Sequence, residues 1–579
     1  MACKTTFYLL TLCICASFIF HVCDADAHTQ GQDFVFSIPA PYHCSPYILL
    51  TARSKSAVVT VTVGLLEFRE QYPVDTTNVV RVVLPPSACV RTSGVNDQSI
   101  IVHSTNPISV HVFKRNNGGD GFLAIPTGRL GLTYYIAAYQ PSDGGDSFIA
   151  ISSLDIATTI RITPRHERSY NTVTIGPYET YMVLLHNDPT GTRLDADYPI
   201  SVVAGSQCSS VPHNAAYNCE PLLEQLPPVK ELGRAFFVGP FKGRNSGYVC
   251  RIIGASDIPT NIQISNRGVV QLNSGDVHEI NITREHEVTD SLLEISSNNP
   301  VLVMQYMKSF ETDSIGDPSM VLITPLDQFS TNISFPVAEI IGLTYYVNVA
   351  IDCVHISDLF FDGDTMADWE VLRSVNGTMC LLRKQTTPGL HNLGHRENAP
   401  FYATVYGYNK YISGNNLHAY AYAYAYPAGF NLRRLLDKGN SSTGTSTAII
   451  AITVGILVII AIIVAIVTYC KRKKTPEQRA SVLHYYSTHI PTPAPPPEDK
   501  HDTCKNKPHT MEDSNNSDEQ QYHDIGISSY STYLSDTEED SDNPVEEEHD
   551  DTGIEIPQDN MENETVGADK DEPYYLEVH

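Results

Sequence analysis

GLTYYI (131–136) and, 102 residues on, GRAFFV (233–238) are two occurrences of one pattern, Gly-x-x-aromatic-(aromatic or Val)-apolar. GQDFVF (31–36) stands 100 residues before the first and GLTYYV (342–347) 109 after the second. A second segment recurs as NPISVHV (106–112), YPISVVA (198–204), NPVLVMQ (299–305) and APFYATV (399–405), its prolines 92, 101 and 100 apart. Between the two lies a third match, SLDIATTIRI (153–162) against ASDIPTNIQI (255–264). Three landmarks in one order at one period predict four related β units, near 31–118, 131–208, 233–308 and 342–430.

The intervening runs are short, β-branched and broken by Pro, Gly, Asn and Asp, as in AVVTVTV (57–63) and TTIRIT (158–163). Long amphipathic helical periods are nearly absent, so the fold class is all-β, each unit long enough for a small sandwich. The prolines of the second landmark suit the first residue of a strand, where no ladder donor is lost. The aromatics of the first read as core or inter-unit packing. Tyr420, Tyr422, Tyr424 and Tyr426 alternate with alanines in HAYAYAYAYPAGF (418–430), which puts them on one strand face. Sheet packing is the reading for that face, with an exposed aromatic strip as the alternative. A row and a closed ring of units both fit the repeat.

Beyond the repeats, Ala448 to Cys470 holds 23 residues without a charge and is followed by Lys471-Arg472-Lys473-Lys474. That length crosses a bilayer as a helix, and the basic flank marks its cytoplasmic end. At the other end Lys4 precedes an apolar run, Phe7 to Val22, and Ala25-Asp26-Ala27 has the form of a signal-peptidase site. The expected order is signal peptide 1–27, β domain 28–430, stalk 431–447, transmembrane helix 448–470 and cytoplasmic tail 471–579. It describes a single-pass type I protein of the plasma membrane with its N-terminus extracellular.

The formal charge is −28; residues 471–579 hold 27 Asp/Glu against 9 Lys/Arg, which is −18 of it and leaves −10 to the rest. Such acidity excludes nucleic acid as a partner, because phosphate binding needs a basic footprint. Residues 28–447 carry seven cysteines in an oxidising compartment. Sequence neighbours suggest Cys44–Cys89, Cys208–Cys219 and Cys353–Cys380, with Cys250 left as a small buried hydrophobe. Sequons at Asn281, Asn332, Asn376 and Asn440 are the glycosylation candidates.

GTRLDADYPISVVAGSQCSSVP (191–212) and NCEPLLEQLPPVKELGRAFFVGPF (218–241) resemble the N-terminal domain of the IgG Fc-binding protein family. TYYIAAYQP (133–141), FIAISSLDIATTIRITP (148–164) and AYAYPAGF (423–430) extend the resemblance to roughly residues 30–430. It implies a β-rich secreted or surface protein of mucosal and defence settings, with an adhesive or recognition role. The family's best-known member is a large mucus protein with von Willebrand-type domains. This chain instead has one IgG Fc-binding protein N-terminal-like domain before the expected membrane anchor, so the resemblance does not carry mucus cross-linking over, and no residue motif transfers Fc binding.

The HExxH, GxSxG and Walker patterns are absent from the sequence, and no cofactor or metal signature replaces them. His166-Glu167 and His286-Glu287 are isolated pairs in polar turns. Asp362, Asp364 and Asp368 in FDGDTMADW offer oxygens suited to Ca²⁺ but lack EF-hand spacing, and read as turn residues. In the tail, Tyr522 with Ile525 and Tyr575 with Val578 have the form of SH2-recognised or endocytic-adaptor motifs, and Cys470 is a palmitoylation candidate. The function expected is a surface recognition or adhesion receptor for an extracellular protein or glycan, not an enzyme, with its tail linked to sorting or signalling. A passive glycocalyx component is the alternative, and an ectoenzyme ranks below both.

Overall fold

The computed structural model describes residues 29–432 except 41–43, 65–67, 116–118, 143, 215–218, 284–288, 310–313, 367 and 410–421. The signal segment, Asn440, Ala448–Cys470, the tail motifs at Tyr522, Ile525, Tyr575 and Val578, and Tyr420 therefore lie outside the described residues. Within them no helix is long and apolar enough to cross a membrane.

One pairing diagram occurs four times. In copy 1 the long strand Ile100–Arg115 takes Gly31–Phe36 and Ala57–Val63 on its first half, and Ser45–Ala52 and Gly119–Leu123 on its second. Arg69–Val74 and Val80–Val83 then extend the two halves. The same partners recur around Arg193–Ser209 in copy 2 and Leu293–Met307 in copy 3. Each of these copies is one curled sheet folded over at its long strand around a core, rather than a sandwich of two separate sheets. Pattern explains the strands: in AVVTVTV, Val59, Val61 and Val63 are buried while Val58 is exposed.

Pro107, Pro199 and Pro300 do not begin strands; they sit inside the long ones. Each marks a bulge, as in copy 1, where Gly31 pairs with Ile108 but Asp33 already pairs with His103. The bulge bends the strand so that it serves both halves, and it is where a missing ladder donor costs least. In copy 4 the bulge becomes a break, and Gly389–His395 and Phe401–Tyr408 share the work of one long strand.

GLTYYV (342–347) does not open copy 4. Its strand, Thr344–Asp352, pairs with Phe401–Tyr408, the place of a second strand, while the opening strand is Asn332–Val337, paired to Gly389–His395. The aromatic pair misleads because a second strand also lies between two cores: Tyr345 enters copy 4's core and Tyr346 that of copy 3.

That two-faced burial closes the ring. Ile149 and Ile151 face copy 2's own core, whereas Phe148, Ala150 and Val203 enter the core of copy 1. Val249, Leu302 and Met304 of copy 3 enter copy 2's core, and Tyr406 and Tyr408 of copy 4 enter copy 3's. Tyr47, Leu49 and Phe113 of copy 1 complete the circuit in copy 4. Strands buried on both faces lose polar alternation, which accounts for runs such as PISVVAG. The ends also meet: Thr29 N–H donates to the Phe430 carbonyl at 2.8 Å.

The recurring glycine has a steric cause. A Cβ on Gly31, Gly131 or Gly233 would lie 2.5, 2.6 or 2.1 Å from the Cβ of Pro126, Pro228 or Pro325, the proline that leads into the next copy. Gly233→Ala should therefore cost about 1–3 kcal/mol through overpacking. Calorimetry should show a lowered Tm, whereas Gly128→Ala, with open space around its Cβ, should leave Tm unchanged.

Candidate binding surface

A groove of about 690 Å³ runs along the junction of copies 2 and 3. Its walls are the opening strand of copy 2 (Leu132, Thr133), the bulge (Asp197, Pro199), the Pro228–Lys230 turn and the Ala255–Asp257 turn of copy 3. Pro228 seated on Gly131 forms part of it, so the close packing that sets the repeat also shapes the groove.

Arg193 organises the polar side. Its Nε donates to Asp195 at 2.9 Å, its Nη1 crosses the junction to Asp257, and the guanidinium lies 5.9 Å from the centre of the Tyr135 ring. Lys230 Nζ donates to the Leu130 carbonyl at 2.6 Å. Leu132 lines the groove with 46% of its surface open, and Tyr198 and Ile258, next in sequence to the lining residues Asp197 and Asp257, are 47% and 61% exposed. An apolar rim around fixed charges is equipped for non-covalent recognition.

A second constellation lies where the closing strands of the four copies meet, Gly119–Leu123, Glu220–Gln225, Met320–Leu322 and Ala423–Gly429. Asp120 there is fully buried. Its Oδ1 accepts N–H from Gly121 at 3.0 Å and Ala425 at 3.4 Å, and its Oδ2 from Met320 at 3.0 Å and Leu223 at 3.3 Å. One carboxylate thus ties all four copies. Glu224 accepts from Leu322 N–H at 2.8 Å, while Glu220 lies beside Asp317 and Lys114.

Burial pushes the Asp120, Glu220 and Glu224 carboxyls well above the usual range. Raised folded values mean that the native state holds protons the unfolded chain has released, so stability present at low pH is lost as pH rises through those values. Burial lowers His111 from 6.5 to about 3, which acts the other way: stability present above 6.5 is lost as pH falls towards 3. Burial also lowers Lys114 to about 8, and its contribution is lost between the usual 10.5 and that value as pH falls. Between about pH 5 and 6.5 three carboxyls oppose one imidazole. Urea unfolding midpoints are accordingly expected to be higher at pH 5 than at pH 7.5; the reverse order would contradict the buried-carboxyl account.

Disulfides join Cys44 to Cys89, Cys208 to Cys219 and Cys353 to Cys380, with Cα–Cα distances of 6.5, 4.9 and 5.0 Å. Cys250 is free in copy 3's core, its thiol pushed up to about 12 by burial. Asn281 and Asn376 are exposed and Asn332 is half-buried in its strand. Asp362 accepts from Asn392 N–H at 2.8 Å and bonds His391 at 2.6 Å, whereas Asp368 pairs with Lys384 at 3.0 Å. Those aspartates are not gathered, and no group that could hold a metal ion occurs among the described residues. His166 sits in a left-handed turn with Arg165 donating to it. Tyr424 and Tyr426 are buried and stacked in copy 4's core. None of these side chains lines the groove, several of whose residues fall instead in the recurring landmarks GLTYYI, YPISVVA and ASDIPTNIQI, read from the sequence as elements of the repeat.

No curated protein matches the chain. The family model described as IgGFc binding protein matches residues 120–407, narrower than the span of the resemblance, from the axial Asp120 through copies 2 and 3 into the penultimate strand of copy 4. The resembling residues have places in that architecture: PISVVAG is the two-faced half of a long strand, Cys208 closes its end, and EQLPPV supplies Glu224 at the axis and Pro228 over Gly131. Through this segment the chain belongs to the IgGFc binding protein family.

Proposed function

We propose that this protein is a single-pass type I recognition or adhesion receptor of the cell surface. The β ring binds an extracellular protein or glycan, a protein being the partner that membership of a binding family favours. The groove between copies 2 and 3, with its apolar rim and fixed ion pairs, is the observation that carries the reading. The uncharged stretch Ala448–Cys470 and its basic flank support the anchor, and the two tyrosine motifs support engagement of SH2 or endocytic adaptors by the tail. Exposed Asn281 and Asn376 suit N-glycosylation.

A binding screen with soluble residues 28–447 tests it, against mucin glycans, bacterial surfaces, immunoglobulin Fc and membrane extracts. Saturable binding to one class, abolished by reduction of the disulfides, supports recognition and names the partner class. Folded protein that binds none of them speaks for a passive surface coat.

A further inference from the structure

The four copies are internal controls for one another, because a residue the fold requires should recur at the matching place. At the bulge before the second-landmark proline, copies 1 and 3 place asparagine. Asn106 Nδ2 donates to the Ser56 carbonyl at 2.8 Å and Asn299 Nδ2 to the Pro259 carbonyl at 3.4 Å, each tying the bulge to the start of the third strand. One residue earlier, Thr105 accepts from Val58 N–H at 3.0 Å and Asn298 from Asn261 N–H at 2.9 Å. Copy 2 has Tyr198 and Asp197 instead, and neither side chain makes a hydrogen bond among the described residues.

The facing strand departs in the same copy. Leu132 stands where the other copies have Gln32 and Arg234; Gln32 bonds the Thr105 carbonyl at 2.9 Å, whereas Leu132 offers only apolar surface. Copy 2 thus gives up the polar ties of its bulge: Leu132 lines the groove, and Tyr198, between the lining residues Asp197 and Pro199 in sequence, is exposed at the bulge. An aromatic and an aliphatic held open where the fold prefers bonded polar residues is the composition of an interface anchor, since hot spots are rich in tyrosine and tryptophan.

Charge indicates what they meet. Asp195, Asp197 and Asp257 stand with two cations, Arg193 and Lys230; Asp195 and Asp257 both hold Arg193, and Asp197 has no ion pair among the described residues. Copies 1 and 2 contain no Asn-x-Ser/Thr sequon, the first being Asn281, so no N-linked glycan grows from the copy 2 wall.

Resting on the recognition reading above, we infer that Leu132 and Asp197 on the groove wall and the exposed Tyr198 of the same bulge form one partner-docking face. The occupant is a protein segment that presents an apolar side chain next to a lysine or arginine: the apolar group packs on Leu132 and Tyr198, and the cation meets Asp197.

A random constrained-peptide phage library selected on the purified full chain, and in parallel on Tyr198→Asn and Leu132→Gln, tests this. Both substitutions install residue types that the other copies carry, so the variants should fold with an unchanged Tm. The expected result is a consensus of an apolar residue beside Lys or Arg, with synthetic consensus peptide binding about ten-fold or more weaker to each variant. An acidic consensus, no consensus, or equal binding by the variants overturns the inference. So does self-association of the full chain that Tyr198→Asn abolishes, which would make a second copy the occupant. Binding to cell membrane extracts, measured on the same proteins, separates the two levels: retained by both variants, it sinks only the docking face; absent from the native chain, it sinks the recognition reading.

Discussion

Asp120→Ala is expected to remove at least about 4 kcal/mol of stability, or to prevent recovery of folded protein altogether. Without its carboxylate, the N–H groups of Leu223, Met320 and Ala425 remain buried without that acceptor. A buried donor left unsatisfied costs about 1–3 kcal/mol, and three at once approach the 5–15 kcal/mol that holds a typical domain together. The ring closes head to tail, so these strands have no alternative pairing to relax into. Asp120→Asn keeps one acceptor oxygen, while its amide now faces donors; its loss should fall between those of the native chain and alanine. Urea unfolding at neutral pH is the measurement. An alanine variant within about 1 kcal/mol of the native chain would show that the axis is not what closes the ring.

Much of this architecture is legible in the sequence, and for identifiable reasons. The period of about 100 residues is visible because each junction makes the same steric demand, a glycine under the next copy's proline, at Gly31, Gly131 and Gly233. The fourth copy breaks the register where that demand ends: Ser330 stands at the matching distance after Pro325, and the aromatic pair of the next strand supplies a false match. Ring closure is not legible, because a residue such as Val203 reads as apolar whichever core it enters. Asp120 sits unremarkably in a glycine-rich turn sequence; only the meeting of four strands gives it four donors. The groove was hidden for a related reason. Tyr198 looks like one more aromatic until the bonded asparagines of copies 1 and 3 show what its position does elsewhere. The family match begins at Asp120, yet copy 1 supplies Tyr47, Leu49 and Phe113 to the last core, so the matched segment cannot close the ring alone.

Arg251→Met should cost about 3 kcal/mol and loosen one junction selectively. Arg251 belongs to copy 3 but is buried against copy 2: Nη1 donates to Asp188 at 2.7 Å and to the Ala138 carbonyl at 3.0 Å, Nε donates to Glu279 at 2.8 Å, and the guanidinium lies 4.0 Å from the centre of the Tyr139 ring. Breaking a buried pair by deleting one partner costs about 3–5 kcal/mol, and the partial exposure of Asp188 and Glu279 places this one at the lower end. Methionine fills much of the volume, so the loss reports on charge and geometry more than on a cavity. Arg251→Lys keeps the charge but not the planar fork that reaches two carboxylates and a carbonyl while stacking on Tyr139, and should lose a substantial share of the same energy. Hydrogen exchange locates the effect. Amides of Tyr248–Gly254 and Gly131–Tyr135, which flank this junction, should lose protection before those of Thr344–Asp352. Uniform loss across all four copies would mean that the ring yields only as a whole, with the axis rather than the individual junctions setting its stability.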